Sequence, residues 1–317
     1  MKTIAAIVAV VVLGLGVPAA AADFPNRPVR ILVPFGAGGS TDVMTRVLAA
    51  EMSKVLGQSV LTINKAGAGG TVGAAEVAAA QPDGYLLGML PVGPLTTQTN
   101  LLRLSYGPES FDYLCLVYSN PQVLIVRKDA PFKTLGDLAA YAKQNPGKVN
   151  YGSTGVGSIP HLAALAVAKG LGIDVFHVPY KGDSDQLAGL LGGSIAMFVT
   201  HPTLVKSHAE RVRALVALGP SRLKDYPDLP TAAEQGAGPL SFNVWGGLAT
   251  ARGTPRAAAA VLENACKQSM ASETFREQME KLHTAIDYRD GKAFQSFVIG
   301  EFKRNERLLR ESGVEKQ

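Results

Sequence analysis

The first third of the chain repeats one pattern: a short run of apolar and β-branched residues, a glycine-rich turn, and a stretch with helical periodicity. In the first repeat the turn precedes Ser40, Thr41 and Asp42, whose side chains can cap a helix. The expected strands lie at 29–34, 60–64 and 86–90, and the expected helices at 43–56 and 71–80. Strands that alternate with helices in this way predict a parallel, doubly wound α/β sheet.

The same order of elements returns after residue 148. Further strands are expected at 149–153, 175–178, 195–200 and 213–218, with helices at 159–169 and 184–191. An apolar strand at 122–127 precedes this second unit, and a strand-like run at 242–250 follows it. Two α/β units of similar plan predict two lobes.

The chain is expected to pass between these lobes twice. The helices that begin at Pro255 need a core, and the first lobe, which lacks them, is the natural one to receive them. We therefore predict lobe 1 from residues 23–124 plus 250–317 and lobe 2 from residues 125–249. The crossings are expected near 121–128 and 246–252. Two crossings form a hinge, and a hinge between two α/β lobes creates a cleft.

The N-terminal segment has the composition of an export signal. Lys2 gives it a positive start, residues 4–18 are uncharged and largely apolar, and three alanines at 20–22 supply the small-x-small pattern of a cleavage site. We expect cleavage after Ala22 and export of the mature protein to the periplasm. The alternative is an N-terminal membrane anchor, which fits less well because no basic stop-transfer cluster follows.

Composition excludes several classes of protein. Hydrophobic residues make up 47% of the 317 residues and charged residues 18%, so a sizeable core is available and global disorder is excluded. The formal charge of +5 is spread along the chain, which argues against a nucleic-acid partner. Cys115 and Cys266 are too few for a disulfide scaffold or a four-cysteine zinc site. Outside the cytoplasm they can pair or remain separate buried thiols, and the sequence leaves that choice open.

Three glycine loops, at 35–42, 66–71 and 153–158, lie where strands of a doubly wound sheet end and helices begin. Ligands bind at such places, and the N–H groups of helix N-termini favour anions. The side chains there are small hydroxyls, and only Lys65 and Lys181 bring positive charge close by. We therefore expect a carboxylate held by neutral N–H and O–H donors. The alternative is that these residues are simply helix caps and tight turns.

Motifs for catalysis are missing at these loops. A dinucleotide fingerprint needs a third glycine where the three loops have Thr41, Val72 and Pro160. The lysine of a phosphate-binding P-loop and the serine spacing of a nucleophile elbow are also absent. His161 stands at the third loop, where a packed or capping role is expected ahead of ligand contact, and no histidines have the spacing of a zinc helix. We therefore expect a protein that is not an enzyme, with no cofactor and no metal.

Short motifs continue in a fixed order over nearly all of the mature chain. They include Pro25-x-Arg27-Pro28-x-Arg30-Ile31, Gly38-Gly39-Ser40-Thr41-Asp42, Ala80-Gln81-Pro82-Asp83-Gly84-Tyr85, Ser153-Thr154-Gly155-x-Gly157-Ser158 and His177-Val178-Pro179-Tyr180-Lys181-Gly182. This series resembles the Bug-type (TctC-like) solute receptors of tripartite tricarboxylate transporters. The resemblance implies a type II periplasmic binding protein (Venus flytrap) fold, monomeric, which closes on a small organic acid and presents it to membrane permease subunits.

The resemblance also implies a set of ligand-binding residues, because in this family the glycine loops of both lobes surround the ligand carboxylate, partly through water. The positions that match are Phe35, Ser40, Thr41, Asp42, Gly67, Ala68, Gly69, Ser153, Thr154, Gly157, Ser158, His161 and Tyr180. Asp42 would repel an anion, so we interpret it as a helix cap that fixes its loop. The chain departs from the family at Lys65-Ala66, where Arg-Pro is usual, and at Ile195-Ala196, where an acidic residue is common.

Two other functions stay open at this stage. One is a secreted α/β hydrolase that acts on an anionic substrate with His161 as the base. The other is a ligand sensor that works with a signalling partner. The motifs do not choose among organic acids.

Overall fold

The computed structural model of the protein describes residues 24–38, 40–180, 182–282 and 284–311, with the backbone alone at Ser40. The expected export signal at 1–22 lies outside these residues, as does Lys181. Among the helices of the described chain, none is both long and apolar enough to span a bilayer.

Strands and helices alternate through most of the described chain. The strands are β1 (Val29–Val33), β2 (Val60–Asn64), β3 (Leu86–Pro91), β4 (Phe111–Pro121), β5 (Val123–Arg127), β6 (Asn150–Ser153), β7 (Phe176–Pro179), β8 (Met197–Thr200), β9 (Val212–Ala217), β10 (Asn243–Ala251) and β11 (Ile286–Asp290). The helices are α1 (Ser40–Leu56), α2 (Thr71–Ala78), α3 (Gln98–Leu101), α4 (Leu135–Gln144), α5 (Ile159–Leu171), α6 (Asp183–Leu191), α7 (Pro202–Ser207), α8 (Arg256–Ala271), α9 (Glu273–Lys281) and α10 (Gly291–Glu311).

Lobe 1 is built on a six-stranded sheet in the order β11-β4-β10-β3-β1-β2. Strand β1 pairs in parallel with β2 and β3, and β10 pairs antiparallel with β3 and β4. Strand β1 is buried on both faces: Ile31 packs in a core with α1, α8 and α9, while Leu32 packs on the other face with α2 and α10. Helices on both faces make this sheet doubly wound, as the sequence predicts.

Lobe 2 is built on a five-stranded sheet in the order β7-β6-β8-β5-β9. Strand β6 pairs in parallel with β7 and β8, whereas β5 runs antiparallel between β8 and β9. Side chains of β5 point alternately to two cores, since Ile125 packs with α6 and α7 while Leu124 and Val126 pack with α5. Lobe 2 therefore repeats the plan of lobe 1.

The two lobes are joined at two crossing segments that are hydrogen-bonded to each other. Strand β4 ends at Pro121 and β5 begins at Val123, so Gln122 is the first crossing. The N–H of Gln122 donates to the Phe242 carbonyl (3.1 Å), and its carbonyl accepts from Leu218 (2.8 Å). The N–H of Phe242 in turn donates to Leu218 (2.8 Å). The predicted fold of two doubly wound lobes joined by two crossings is thus confirmed.

The structure places the second crossing earlier in the chain than the sequence did. Asn243 already pairs with Pro121, so all of β10 belongs to lobe 1 and the crossing precedes residue 243 instead of lying at 246–252. Lobe 2 accordingly runs from Val123 to about residue 242, and not over 125–249. The sequence predicts a strand at 242–250, but the strands with which it pairs, β3 and β4, lie far away in the chain. Local pattern does not reveal which sheet such a strand joins.

Strand β11 is a second difference from the expectation. The sequence predicts only helices after Pro255, yet Ile286–Asp290 pairs antiparallel with β4 at the edge of the lobe 1 sheet. An edge strand needs little apolar surface, and the side chains of β11 are intermediate or exposed. The hydrophobic alternation that identifies a strand is therefore weak here.

Cys115 and Cys266 form a disulfide, which decides the choice that the sequence left open. The bond joins β4 to α8, and both residues are fully buried in the core that contains Ile31. The two cysteines are 151 residues apart in the chain, and the closed loop contains the whole of lobe 2. A cross-link over so long a loop removes many conformations from the unfolded chain.

We expect the double substitution Cys115→Ala with Cys266→Ala to lower the free energy of unfolding by about 2–4 kcal/mol, because the unfolded chain regains that freedom. Urea unfolding under non-reducing conditions measures the difference. The wild-type protein in a reducing agent is the control and should lose a similar amount. Equal stability of reduced and oxidised wild-type protein would contradict this role of the disulfide.

Candidate ligand site between the lobes

The first glycine loop, between β1 and α1, is fixed by the carboxylate of Asp42. This carboxylate is 2% exposed and accepts hydrogen bonds from the Gly38 N–H (2.8 Å), Arg46 Nε (3.0 Å) and Asn64 Nδ2 (2.9 Å). Burial opposes its ionisation, but these hydrogen bonds outweigh burial and hold the pKa of Asp42 below its ordinary value. Asp42 is therefore ionised, and its hydrogen bonds hold its own loop in place. Its charge is engaged in these bonds and does not oppose the binding of an anionic ligand.

Two other candidates of this loop connect it to neighbouring elements. The hydroxyl of Thr41 is hydrogen-bonded to the phenol of Tyr118 on β4. The Phe35 ring contacts the second glycine loop. A Cβ added to Gly70 would lie 3.2 Å from Cζ of Phe35. Ser40 begins α1, and its side chain lies outside the described atoms.

The second glycine loop has an unusual backbone. Residues 67–70 all have positive φ, including the non-glycine Ala68 at 45° and Gly69 at 65°. The turn is closed by the Gly70 N–H on the Gly67 carbonyl (2.9 Å) and by the Thr71 hydroxyl on the Ala68 carbonyl (2.9 Å). It leads directly into α2, so the free N–H groups at the start of that helix face the same place. The exposed backbone at 67–69 is suited to approach by a ligand.

The third loop joins β6 to α5 in lobe 2, and Ser153 shapes it from within. The Ser153 hydroxyl is fully buried and accepts from the Gly155 N–H (3.1 Å). It also lies 3.0 Å from the Gly155 carbonyl and 2.7 Å from Nε2 of His177. Three contacts saturate a hydroxyl, so Ser153 holds the loop and is not free to donate to a ligand.

His161 supports the same loop from the first turn of α5. Its Nδ1 accepts a hydrogen bond from the Gly157 N–H (2.9 Å), and its imidazole is 5% exposed. Burial, with a smaller contribution from His177, lowers the pKa of His161 to about 4. The ring is therefore neutral near pH 7 and packed under the loop, which is the role that the sequence favoured for it.

The remaining lobe 2 candidates divide into two groups. Ser158 caps α5 by accepting from the His161 N–H (3.3 Å) and is partly exposed, and Thr154 is exposed. Both can reach a ligand. Tyr180 differs, because a Cβ added to Gly189 on α6 would lie 2.4 Å from the Tyr180 hydroxyl oxygen. The phenol of Tyr180 thus lies against α6, while its N–H donates to the Ser153 carbonyl (2.9 Å) at the start of the third loop.

The loops of the two lobes meet at the short helix α3. A Cβ added to Gly69 would lie 3.6 Å from the amide of Gln98, at the start of α3. A Cβ added to Gly157 would lie 2.0 Å from Cδ1 of Leu101, at its end. One four-residue helix therefore contacts the second loop of lobe 1 and the glycine loop of lobe 2. A side chain at Gly157 would clash with Leu101 unless the leucine side chain moves or the lobes separate.

Sequence reasoning missed Gln98, Leu101 and Tyr118 as parts of this site. Gln98 and Leu101 follow the carboxyl end of β3, so the rule that places ligands beyond strand ends would have included them. Their helix is short and lacks the glycine turn that marked the other loops. Tyr118 lies within β4 and carries no signal in the sequence that distinguishes it from a core residue.

Formal positive charge is scarce at these loops. Lys65, the cation that the sequence placed beside the second loop, forms an ion pair with Glu76 of α2. Lys181, the other cation, lies outside the described residues. Among the described residues, no cluster of three or more His, Cys, Asp or Glu side chains is arranged to hold a metal ion.

A separate cavity of about 770 Å³ lies where the lobes join at the hinge. Its walls include Lys206 and Tyr226 from lobe 2 and Arg276 and Ile286 from lobe 1, with Pro121 between them. The glycine loops do not contribute to its lining. We place the candidate site at the loops, where helix N-termini and hydroxyls converge, because those groups define an anion site more specifically than an open cavity does.

Two doubly wound lobes, two crossing segments and glycine loops that meet between the lobes define a solute-binding protein of the type II periplasmic class. The model of the tripartite tricarboxylate transporter family receptor, TctC, matches residues 44–314. The chain belongs to this family.

Known proteins also resemble this chain in sequence and in structure. A UPF0065 protein encoded in the gbd 5′ region of Cupriavidus necator is 32% identical over 94% of this chain and 91% of its own. The structure of the periplasmic binding protein BugD has a TM-score of 0.80 at 32% identity, covering 93% of this chain and 100% of BugD.

Two further solved structures contain small acids. MatC (Rpa3494) from Rhodopseudomonas palustris with bound malate has a TM-score of 0.79 at 31% identity, covering 90% of this chain and 100% of MatC. Rpa4515 from R. palustris with adipate has a TM-score of 0.83 at 27% identity, covering 93% and 100%.

We expect Asp42→Asn to lower the free energy of unfolding by about 1–3 kcal/mol, because the amide loses the charge-assisted hydrogen bond with Arg46 and has only one oxygen to accept from the three donors around the carboxylate. The change is measured by urea unfolding near pH 7. Since the folded-state pKa of Asp42 is lowered, the difference should persist above the ordinary carboxyl pKa and shrink as pH falls through the folded value. Asp185→Asn, at an exposed carboxylate in the first turn of α6, is the matched control. Equal stability of the Asp42 and Asp185 variants would show that Asp42 does not anchor its loop.

Proposed function

We propose that this chain is a periplasmic receptor that captures a small organic acid between its lobes and delivers it to the membrane subunits of a tripartite transporter. The observation that carries the proposal is the meeting of the glycine loops of both lobes at α3, with Gly69 at one end of the helix and Gly157 at the other. Members of the family are solute-binding receptors, and two similar structures contain malate and adipate.

The electrostatics of the loops support a carboxylate held by neutral donors. Asp42 is neutralised by Arg46, and Lys65 by Glu76, so neither contributes an uncompensated charge. The available donors are the backbone at 67–69, the N-terminus of α2, and the exposed or half-exposed hydroxyls of Thr154 and Ser158. At the start of α5, Pro160 has no N–H and the His161 N–H already donates to Ser158. Helix N-termini stabilise an anion without a counter-charge. A ligand held in this way is also released without breaking a strong ion pair.

Lobe closure is the proposed mechanism of capture. Only a closed arrangement offers the donors of both lobes at once, so the acid stabilises that arrangement over more open ones. The closed receptor then presents a surface formed by both lobes to its membrane partner.

The geometry does not favour the hydrolase alternative. A general base needs a free lone pair within reach of the substrate, but Nδ1 of His161 accepts from the Gly157 N–H and the ring is buried. Ser153, the hydroxyl nearest to the two imidazoles, is saturated by contacts within its own loop.

Binding is tested by a thermal-shift screen of refolded, ligand-free protein against a panel of carboxylates that includes malate and adipate. An acid present at 100 times its dissociation constant should stabilise the protein by about 2.7 kcal/mol and be recovered unchanged. Turnover of an acid ester that disappears in His161→Ala would support an enzyme instead. The absence of any stabilising acid would count against a carboxylate receptor.

Gly69→Val should weaken acid binding by at least about tenfold, because a branched side chain at φ 65° distorts the donor loop beside Gln98. Gly57→Val is a matched control, since Gly57 has φ 64°, follows α1 and has open space around its Cα. Both variants should lose about 1–2 kcal/mol of stability from backbone strain. Isothermal titration with the acid from the screen separates them, and equal affinities in the two variants would place the site elsewhere.

Ser158→Ala should weaken acid binding about 5- to 15-fold without unfolding the protein, because one neutral donor of several is removed. Its loss of the helix cap should cost about 1 kcal/mol of stability. Ser272→Ala removes the equivalent cap of α9, where Ser272 accepts from the Phe275 N–H (3.1 Å), and should leave affinity unchanged. Normal affinity in Ser158→Ala would exclude this hydroxyl from the site.

A further inference from the structure

Three aromatic rings stack beneath the ligand loop of lobe 2. The rings of His161 and His177 are 4.3 Å apart between centroids at an interplanar angle of 30°. Tyr151 stacks 5.1 Å from His177 and 6.0 Å from His161. The rings come from β6, α5 and β7, so the stack ties together the three elements that surround the loop.

The imidazole of His161 holds the loop only in its neutral form. Its Nδ1 accepts from the Gly157 N–H at 2.9 Å, so this nitrogen carries no proton. Protonation would place an N–H against the N–H of Gly157 and remove the hydrogen bond. Gly157 has no room to adjust toward lobe 1, because Leu101 lies directly against it.

The imidazole of His177 holds the other end of the loop through Ser153. The Ser153 hydroxyl accepts from the Gly155 N–H and has one proton of its own. All three of its contacts are satisfied when Nε2–H of His177 donates to the hydroxyl and the hydroxyl donates to the Gly155 carbonyl. The two histidines therefore fix residues 153–158 from both ends.

The surroundings of the stack disfavour positive charge. The titratable groups that face His161 are Tyr151 from β6 and His177 from β7, and the lobe 1 side chains against this loop, Leu101 and Leu309, are apolar. Neither imidazole forms a salt bridge with any carboxylate among the described residues. Burial lowers the pKa of both histidines, and for His161 to about 4. Two stacked imidazolium rings would also repel each other.

We propose that His161 and His177 are positioning residues that keep the lobe 2 loop in its ligand-binding shape, His161 only while its ring is neutral, so that protonation of His161 releases the acid. The inference rests on the proposed function, and it adds a pH-dependent release step to it. Neither ring contacts the ligand in this account. Each acts through the backbone of the loop, and the loop carries the Ser158 hydroxyl and the N-terminus of α5.

The first test needs no ligand. Proton–carbon NMR of the histidine rings and proton–nitrogen NMR of the Gly157 amide follow ligand-free protein from about pH 7.5 to about pH 4. We expect His161 and His177 to titrate below the ordinary histidine range, and the Gly157 amide to shift or broaden together with His161. Titration of His161 near 6.5, or a Gly157 amide that does not respond, would overturn the proposal.

The second test measures affinity for malate, with adipate as a second probe, over the same pH range. Because the acids themselves take up protons in this range, each wild-type affinity is divided by that of His161→Asn with His177→Gln, whose amides reproduce the Nδ1 acceptor and the Nε2 donor without titrating. This ratio should stay constant to about pH 5.5 and fall at least about twofold by pH 4, as His161 becomes protonated. His208→Gln, at the histidine that follows α7 and bonds to the Leu204 carbonyl, should keep the wild-type profile.

The outcomes are distinguishable. His161→Ala should bind more weakly than His161→Asn near neutral pH, because it lacks the acceptor for Gly157. A ratio of wild-type to double-variant affinity that does not change with pH would refute the histidine stack as the origin of acid release. If neither malate nor adipate binds at any pH, the proposed ligand class fails for these acids, while the NMR titration still decides whether the stack controls the loop.

Discussion

The backbone hydrogen bonds among Gln122, Leu218 and Phe242 are the constraint on which the two-lobed arrangement depends. They join the two crossing segments side by side, so the strand pairing of one sheet continues into the other. The lobes can then change their angle through a few backbone torsions while each sheet stays intact. The meeting of loops at α3 follows from this, because the crossings set where the carboxyl ends of β2 and β6 face each other.

Most side chains at the candidate site serve the shape of the loops. Asp42, Ser153 and His161 each accept a hydrogen bond from a backbone N–H of their own loop. The groups left for a ligand are mainly backbone N–H donors and the hydroxyls of Thr154 and Ser158. Loops that are already held in place lose little conformational entropy when an acid binds.

The sequence predicts the fold well where the signal is local. Glycine turns after apolar runs located β1, β2 and β6, and the repetition of the pattern gave two lobes. It failed where pairing is long-range: β10 was assigned to the wrong side of the crossing, and the edge strand β11 was missed. At the candidate site, the sequence predicted the glycine loops because backbone with positive φ favours glycine, and runs of glycine are visible in the sequence. The packing of the Tyr180 phenol against α6 and the contacts of Gln98 and Leu101 depend on tertiary structure, which no local pattern encodes.

The position of β10 also bears on the order in which the protein is completed. Strand β10 lies between β3 and β4, yet it is made after every residue of lobe 2. A chain that emerges from its N-terminus first can therefore finish lobe 2, whose strands are contiguous, before the lobe 1 sheet has its central strand. The lobe 1 sheet is therefore the first to begin and the last to be completed. The bond between Cys115 and Cys266 then covalently secures a sheet that was open until nearly the whole chain had been translocated.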